Sequence, residues 1–256
     1  MAEQYESEPS RWEQNVLQNI LLTSVKEQRS GRRWGIFFKS AFLLYLIFVL
    51  FLFWPSNRKK LEYRHPHTAL VTIEGVISPT DEANADAIVT GLRNAFESGY
   101  SKGIILRINS PGGSPVQSSY IYNEIRRLRA RHPEKKLYAV ISDVGGSGGY
   151  FVACAADEIY ANESSIVGSI GVLMPNFGFT ETIQKLGIEQ RTITAGENKM
   201  FLDPFSPVVE QQQAFAQKLV GNIHHHFIQA VKEGRGERLK EDPTIFSGLF
   251  WTGDQA

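Results

Sequence analysis

The sequence predicts an α/β protein built on a parallel sheet and preceded by one transmembrane helix. Three observations predict it. From Thr68 onward, short apolar runs rich in Val and Ile alternate with segments of helical periodicity, the pattern of parallel strands joined by crossover helices. Two glycine-rich turns each follow such a run and precede a helix, and strand ends of this kind face the site crevice of a parallel sheet. Ahead of both, residues 36–54 form an apolar stretch whose only charge is Lys39.

The chain has 256 residues, 42% of them apolar, enough for one ordinary domain with a sizeable core plus extras. Lys and Arg together number 27, as do Asp and Glu, so charge makes no case for a nucleic-acid partner. The one cysteine, Cys154, excludes an internal disulfide framework and a multi-cysteine metal site. Within the apolar run Phe151–Ala156 it reads as a small core residue rather than a nucleophile. Nothing in the composition or motifs requires a cofactor.

Residues 1–35 form a polar tail, in which Val16, Ile20, Leu21 and Val25 recur at helical spacing. The tail is expected to be a short helix or partly ordered. Ile36 to Trp54 would span roughly 28 Å as a helix, close to the thickness of a bilayer core. Lys39 lies near one end, where a long side chain snorkels to the headgroups, and Trp34 and Trp54 flank the run as interfacial anchors. The run begins too late for a cleaved signal peptide, and no small-x-small site follows it. Lys26, Arg29, Arg32 and Arg33 precede it, while Arg58, Lys59, Lys60 and Arg64 follow it. The charge balance across the span therefore does not choose an orientation. Residues 55–67 read as a charged linker. His65 and His67 flank Pro66 with no further ligand nearby, which favours a solvated segment over a metal site.

The domain from 68 to 256 then reads in order. Strands are expected at 69–73, 103–108, 137–141, 158–161, 168–173 and 190–194. Helices are expected at 81–96, 118–130, 147–156, 180–186 and 208–232.

The two glycine turns carry the chemistry. The first is INSPGGS at 108–114 and the second is DVGGSGGY at 143–150. Neither supplies the Gly-Lys-Ser/Thr of a nucleotide phosphate loop. An oxyanion hole is the other use of converging backbone amides, with Gly148 beside Ser147 as one donor and Gly113 as the second. A tight turn with Ser147 as a helix cap accounts equally well for the same residues. A nucleophilic serine also needs a base. Residues 145–149 fit G-x-S-x-G, and Asp203 followed by His224, His225 and His226 completes a Ser-Asp-His order. The upstream glycine loop of such hydrolases is missing, and the histidines lie within an amphipathic helix marked by Leu219, Ile223, Phe227 and Val231. Lys199, in AGENKMF at 195–201, is the alternative base. It would act only in the uncharged form, which burial favours.

Taken together, these stretches resemble the signal peptide peptidase A family, peptidase family S49, which has the ClpP/crotonase-like fold of repeated ββα units. The resemblance runs from about Thr68 to Ala256. It rests on INSPGGS (108–114), VGGSGGY (144–150), ACAADEIYAN (153–162), SSIVGSIGV (164–172) and ITAGENKMFLDPFSP (193–207). The family has Ala where this chain has Gly146. The resemblance implies Ser147 as nucleophile, Lys199 as general base, Ser169 as the hydroxyl orienting the lysine, and Gly113 and Gly148 as oxyanion donors. It implies cleavage of signal-peptide remnants in the membrane by a homo-oligomeric ring whose dyad is shared between subunits. It also implies a single-pass inner-membrane protein with the N-terminus inside and the catalytic domain on the extracytoplasmic side. The family pattern continues for several dozen residues past Trp251-Thr252-Gly253, so a C-terminally truncated domain is expected. Three other readings follow from the same residues: the Ser-Asp-His hydrolase, a crotonase-like acyl-CoA enzyme, and an inactive scaffold of this fold.

Overall fold

The computed structural model describes residues 32–51 and 65–256. The amphipathic stretch at Val16–Val25, Trp54 and most of the expected linker lie outside those residues. Two units are present, and each is described by itself. In the first, helix α1 (Arg32–Phe51) has a mean hydropathy of 2.0 and no buried residue, and is long and apolar enough to cross a membrane.

The second unit is mixed α/β. Its sheet runs in the order β1 (His67–Glu74), β2 (Ser101–Ser110), β3 (Lys136–Gly146), β5 (Ile166–Gly168), β6 (Phe250–Thr252), with β4 (Glu158–Ala161) also on β3. All pairings are parallel except β5 with β6. β3 serves two partners in turn. Its first half, Tyr138–Ile141, pairs with β4, and its last three residues, Val144–Gly146, pair with β5.

Helices α2 (Ala85–Glu97), α3 (Pro115–Arg131) and α4 (Gly148–Ala153) pack against the sheet and one another. Asn84 starts α2 by accepting from the Ala87 amide at 2.9 Å, and Ser114 caps α3 ahead of Pro115. The core is the alternate residues of β2 and β3 (Ile104, Leu106, Ile108, Leu137, Ile141) against Leu92, Phe96, Ile121, Ile125 and Leu128, all essentially closed to solvent. A short α5 (Thr180–Lys185) and a long α6 (Glu210–Arg235) complete the unit. An aromatic column ties α3, α4 and α6 together. Tyr122 meets Phe151 edge-on at 5.3 Å, and Phe151 meets Phe227 at 4.8 Å.

Several boundaries differ from expectation. The 55–67 linker ends early, because His67 already pairs with Ser101 in β1. β3 runs five residues past Ile141, through Val144-Gly145-Gly146, since β5 offers a ladder partner there. The strand expected at 168–173 stops at Gly168, because Ser169 at φ 51° turns the chain out of the ladder. Residues 190–194 form no strand. Ile193 is 99% exposed and no neighbouring chain pairs with this segment, and an extended segment without a ladder partner is not a strand. β6 was not anticipated. It is three residues long and carries no alternation to recognise.

Candidate active site

Ser147 sits where β3 becomes α4. Its backbone takes φ 49°, ψ −120°, a costly conformation for a residue with a Cβ. Two bonds hold it there. The Ser147 amide donates to the Gly168 carbonyl at 2.9 Å, and the Phe151 amide donates to the Ser147 carbonyl at 2.8 Å, opening the helix. The Ser147 hydroxyl makes no cap bond to α4. The helix-cap reading therefore fails: Ser147 stands at the cap position without the side-chain bond of a cap.

The first glycine turn lies against this elbow. Ile77 bridges Gly113 as a one-residue parallel pair: the Ile77 amide donates to the Gly112 carbonyl and the Ser114 amide to the Ile77 carbonyl, both at 2.8 Å. The Gly113 amide is not used in that bridge. The Gly148 amide is the first of α4, where no intrahelical acceptor exists. Neither amide has a hydrogen-bond acceptor among the described residues. The two residues touch, since a Cβ added to Gly148 would stand 3.3 Å from the Gly113 nitrogen and only 2.4 Å from Ser118 Oγ. A Cβ at Gly113 would strike the Ile77 carbonyl oxygen at 2.1 Å. Glycine at 113 and 148 is thus a requirement of this close approach. At Gly146 it is not: the added carbon would meet only ordinary contacts of 3.6–3.8 Å, one of them Ser169 Cβ.

A cavity of about 540 Å3 brings Gly113, Ser147, Gly148 and Ser169 together, with Phe151, Val172, Leu173 and Phe227 as apolar wall. Ser169 is fixed by its amide, which donates to the Leu249 carbonyl at 2.7 Å. Val172 also borders a second cavity of about 640 Å3, where Met174, Phe177, Met200, Leu202 and Val208 face α6.

Lys199 is not in the Ser147 cavity. It stands exposed on a turn closed by its own amide to the Gly196 carbonyl at 3.1 Å, and its side chain makes no hydrogen bond or ion pair among the described residues. The Ser-Asp-His arrangement is not assembled either. His224 Nε2 lies 3.0 Å from the Ile170 carbonyl, His225 and His226 are exposed, and Asp203 accepts from Ser206 Oγ at 2.6 Å beside the second cavity. That Ser206 bond holds the Asp203 carboxyl below its ordinary value.

Cys154 is closed to solvent, and burial pushes its thiol up to about 12, so at neutral pH it is a protonated core residue. Among the described residues, no three His, Cys, Asp or Glu side chains gather as a metal site.

Sequence reasoning missed several wall residues. Phe151 and Phe227 carried a signal, the apolar faces of their helices, but that signal specifies burial and not proximity to Ser147. Ser247, Gly248 and Leu249, which close over Ser169 and Gly171, carried none.

The model of peptidase family S49 matches residues 129–256, a span holding Ser147, Gly148, Ser169 and Lys199. The chain is 46% identical over 190 residues to the Na(+)/H(+) antiporter NhaA of Brucella melitensis, covering 74% of this chain and 25% of that protein. It is 31% identical over 192 residues to Protease 4 of Haemophilus influenzae (73% and 31%). It is 29% identical over 186 residues to the chloroplastic serine protease SPPA of Arabidopsis thaliana (72% and 27%). The matched stretch thus spans about a quarter to a third of each of these proteins. A 190-residue match cannot fit within residues 1–62, so most of the likeness to the antiporter falls in the α/β unit.

Proposed function

The chain belongs to peptidase family S49, and from that premise we propose that it is a membrane-anchored serine endopeptidase with Ser147 as nucleophile and Lys199 as base. One observation carries this reading: Gly113 and Gly148, whose amides have no hydrogen-bond acceptor among the described residues, line the same cavity as Ser147. Two backbone donors that converge on the developing oxyanion of acyl transfer would stabilise it by about 3–4 kcal/mol each.

The uncharged Lys199 amine takes the Ser147 proton as Oγ attacks the peptide carbonyl. The carbonyl oxygen, now negative, is held by the two amides. The protonated lysine then gives its proton to the departing amine, the C–N bond breaks, and an acyl-serine remains. Water, deprotonated by the same amine, hydrolyses the ester. Ser169, on the cavity wall beside Ser147, orients the lysine. Lys199 reaches Ser147 from an adjacent copy in a homo-oligomeric ring. Its free, exposed side chain in the single chain supports that arrangement, and cover from a neighbour would enclose the amine and favour its uncharged form. The aromatic and aliphatic cavity walls favour extended apolar peptides, such as remnants of signal peptides. Helix α1 would anchor the chain in the inner membrane with the domain outside the cytoplasm.

A fluorophosphonate probe is expected to label wild type and not Ser147→Ala, and peptidase activity is expected to be absent in Ser147→Ala and in Lys199→Ala. Mixing the two inactive variants before assembly should restore part of the activity, because a mixed ring contains intact serine–lysine pairs. Full activity in Lys199→Ala with loss in His224→Ala would overturn the dyad.

A further inference from the structure

β2 and β3 run in step from Gly103 opposite Lys136 to Ile108 opposite Ile141, and then lose register. The next pair is Ser110 with Gly145, so the span 108–110 on β2 faces the longer span 141–145 on β3. β3 thus carries two extra residues, a bulge that bends the strand just ahead of Ser147. The bend is tight: a Cβ added to Gly145 would stand 2.7 Å from Ile141 Cδ1. Residues in a bulge drop out of the regular ladder, and their backbone groups need other partners.

Asn109 has no paired residue on β3, and its side chain serves the bulge instead. Its Oδ1 accepts the Val144 amide at 3.2 Å. Its Nδ2 donates to Glu74 of β1 at 2.9 Å and to Asp143 of β3 at 3.2 Å. One side-chain amide therefore ties three neighbouring strands together at their carboxyl ends. The Asn109 backbone carbonyl adds a further tie to the end of β1 by accepting the Gly75 amide at 2.9 Å. From the β5 side, the Ser165 hydroxyl, closed to solvent, donates to the Ser142 carbonyl. The extra residues of β3 are thus clamped from both flanks.

Two runs of contacts lead from Asn109 to the candidate site. Val144 opens the short ladder with β5 that ends at Gly146 and Gly168, and the Gly168 carbonyl holds the Ser147 amide at 2.9 Å. Along its own strand, Asn109 is followed by Ser110, whose Oγ accepts the Gly112 amide at 3.1 Å, one residue ahead of Gly113. Gly112 in turn abuts the other turn: a Cβ there would stand 2.7 Å from Ser147 Cβ. The bulge therefore sets the spacing between the two glycine turns. On the reading that Ser147 is the nucleophile, we infer that Asn109 is a positioning residue: its side chain locks the bulge and so fixes where the Ser147 hydroxyl lies relative to the Gly113 amide.

The test labels the detergent-solubilised full chain with a fluorophosphonate probe and reads the rate constant at saturating probe. Asn109→Leu removes both polar functions at nearly constant volume. In folded protein its saturating rate is expected to fall about tenfold or more, with little change in the half-saturating probe concentration. Asn109→Asp keeps an acceptor for the Val144 amide but sets a third carboxylate beside Glu74 and Asp143. Arg107, two residues back on β2, bonds Thr72 Oγ1 at 3.5 Å. Crowding by like charges favours protonation of the new carboxylate, whose hydroxyl can then donate again. The rate of Asn109→Asp relative to wild type is therefore expected to climb as pH falls from about 8 to about 5.5. Coupling Asn109→Asp with Asp143→Asn exchanges amide and carboxylate, and is expected to recover part of the loss at about pH 8. No labelling of wild type overturns the nucleophile reading itself. With wild type labelled, a wild-type rate in folded Asn109→Leu overturns this inference alone. So does an Asn109→Asp ratio that is flat with pH, or an exchange variant no faster than Asn109→Asp, and these two results decide the matter if Asn109→Leu does not fold.

Discussion

The ring of Trp251 lies where a side chain on Gly168 would have to go, with the nearest ring carbons 2.7 Å from a Cβ built at that glycine. Gly168 also holds φ 102°, and its carbonyl accepts the Ser147 amide at 2.9 Å. The Ser147 turn is therefore packed, through one residue, on β6. Gly168→Ala is expected to cost about 2–4 kcal/mol by urea unfolding, combining backbone strain with overpacking. The variant is also expected to lose fluorophosphonate labelling under conditions where it remains folded.

The proposed oxyanion donors make a sharper comparison. Gly148→Ala forces a methyl group into Ser118 Oγ at 2.4 Å, so the backbone at 148 has to shift. A fall in kcat/KM of about a hundredfold or more is expected. Gly146→Ala, whose methyl meets only contacts of 3.6–3.8 Å, is expected to stay within about threefold of wild type. Steady-state kinetics on one apolar peptide measures both.

Glu124 gives a pH dependence distant from the site. Hydrogen bonds from Arg127 and Arg93 hold its carboxyl down to about 2, against an ordinary value of 4.5. A carboxyl depressed by folding stabilises fully above the unfolded value and loses that share as pH falls from about 4.5 toward 2. Both arginines are partly solvated, so screening leaves about 1–2 kcal/mol of the nominal effect. Glu124→Gln is expected to lower the urea midpoint at pH 7 and to match wild type near pH 2.

Cys154 tests the core assignment. Its thiol donates to the Phe151 carbonyl at 3.1 Å and is closed to solvent. A disulfide reagent is expected to leave the native protein unmodified at neutral pH and to titrate the thiol fully in denaturant. Cys154→Ala is expected to keep its peptidase activity.

Much of this architecture is legible in the chain itself. The runs around Ile73, Ile108 and Ile141 announce strands because buried parallel strands have little other way to read. The glycines at 113 and 148 announce close backbone approach, and the structure supplies the atoms that require it. What is not legible depends on pairing. Whether residues 166–173 or 190–194 are strands is decided by which chain lies beside them, and Ser169 leaves the ladder through a backbone angle that a serine does not advertise. Leu249 carries no motif, yet its carbonyl holds the Ser169 amide. The proposed pairing of Lys199 with Ser147 is legible in neither the string nor the single folded chain, where Lys199 stands exposed outside the Ser147 cavity.

The anchoring of Ser169 on Leu249 gives the site an order of birth. Ser147 and Ser169 emerge from the ribosome well before Leu249, so a half-made chain carries the proposed nucleophile but not the carbonyl that holds Ser169. Under the proposed function, such a chain would be unable to attack neighbouring polypeptides until β6 arrived. Chains arrested before Leu249 should therefore ignore the fluorophosphonate probe, and efficient labelling of those chains would show that the pocket ripens earlier.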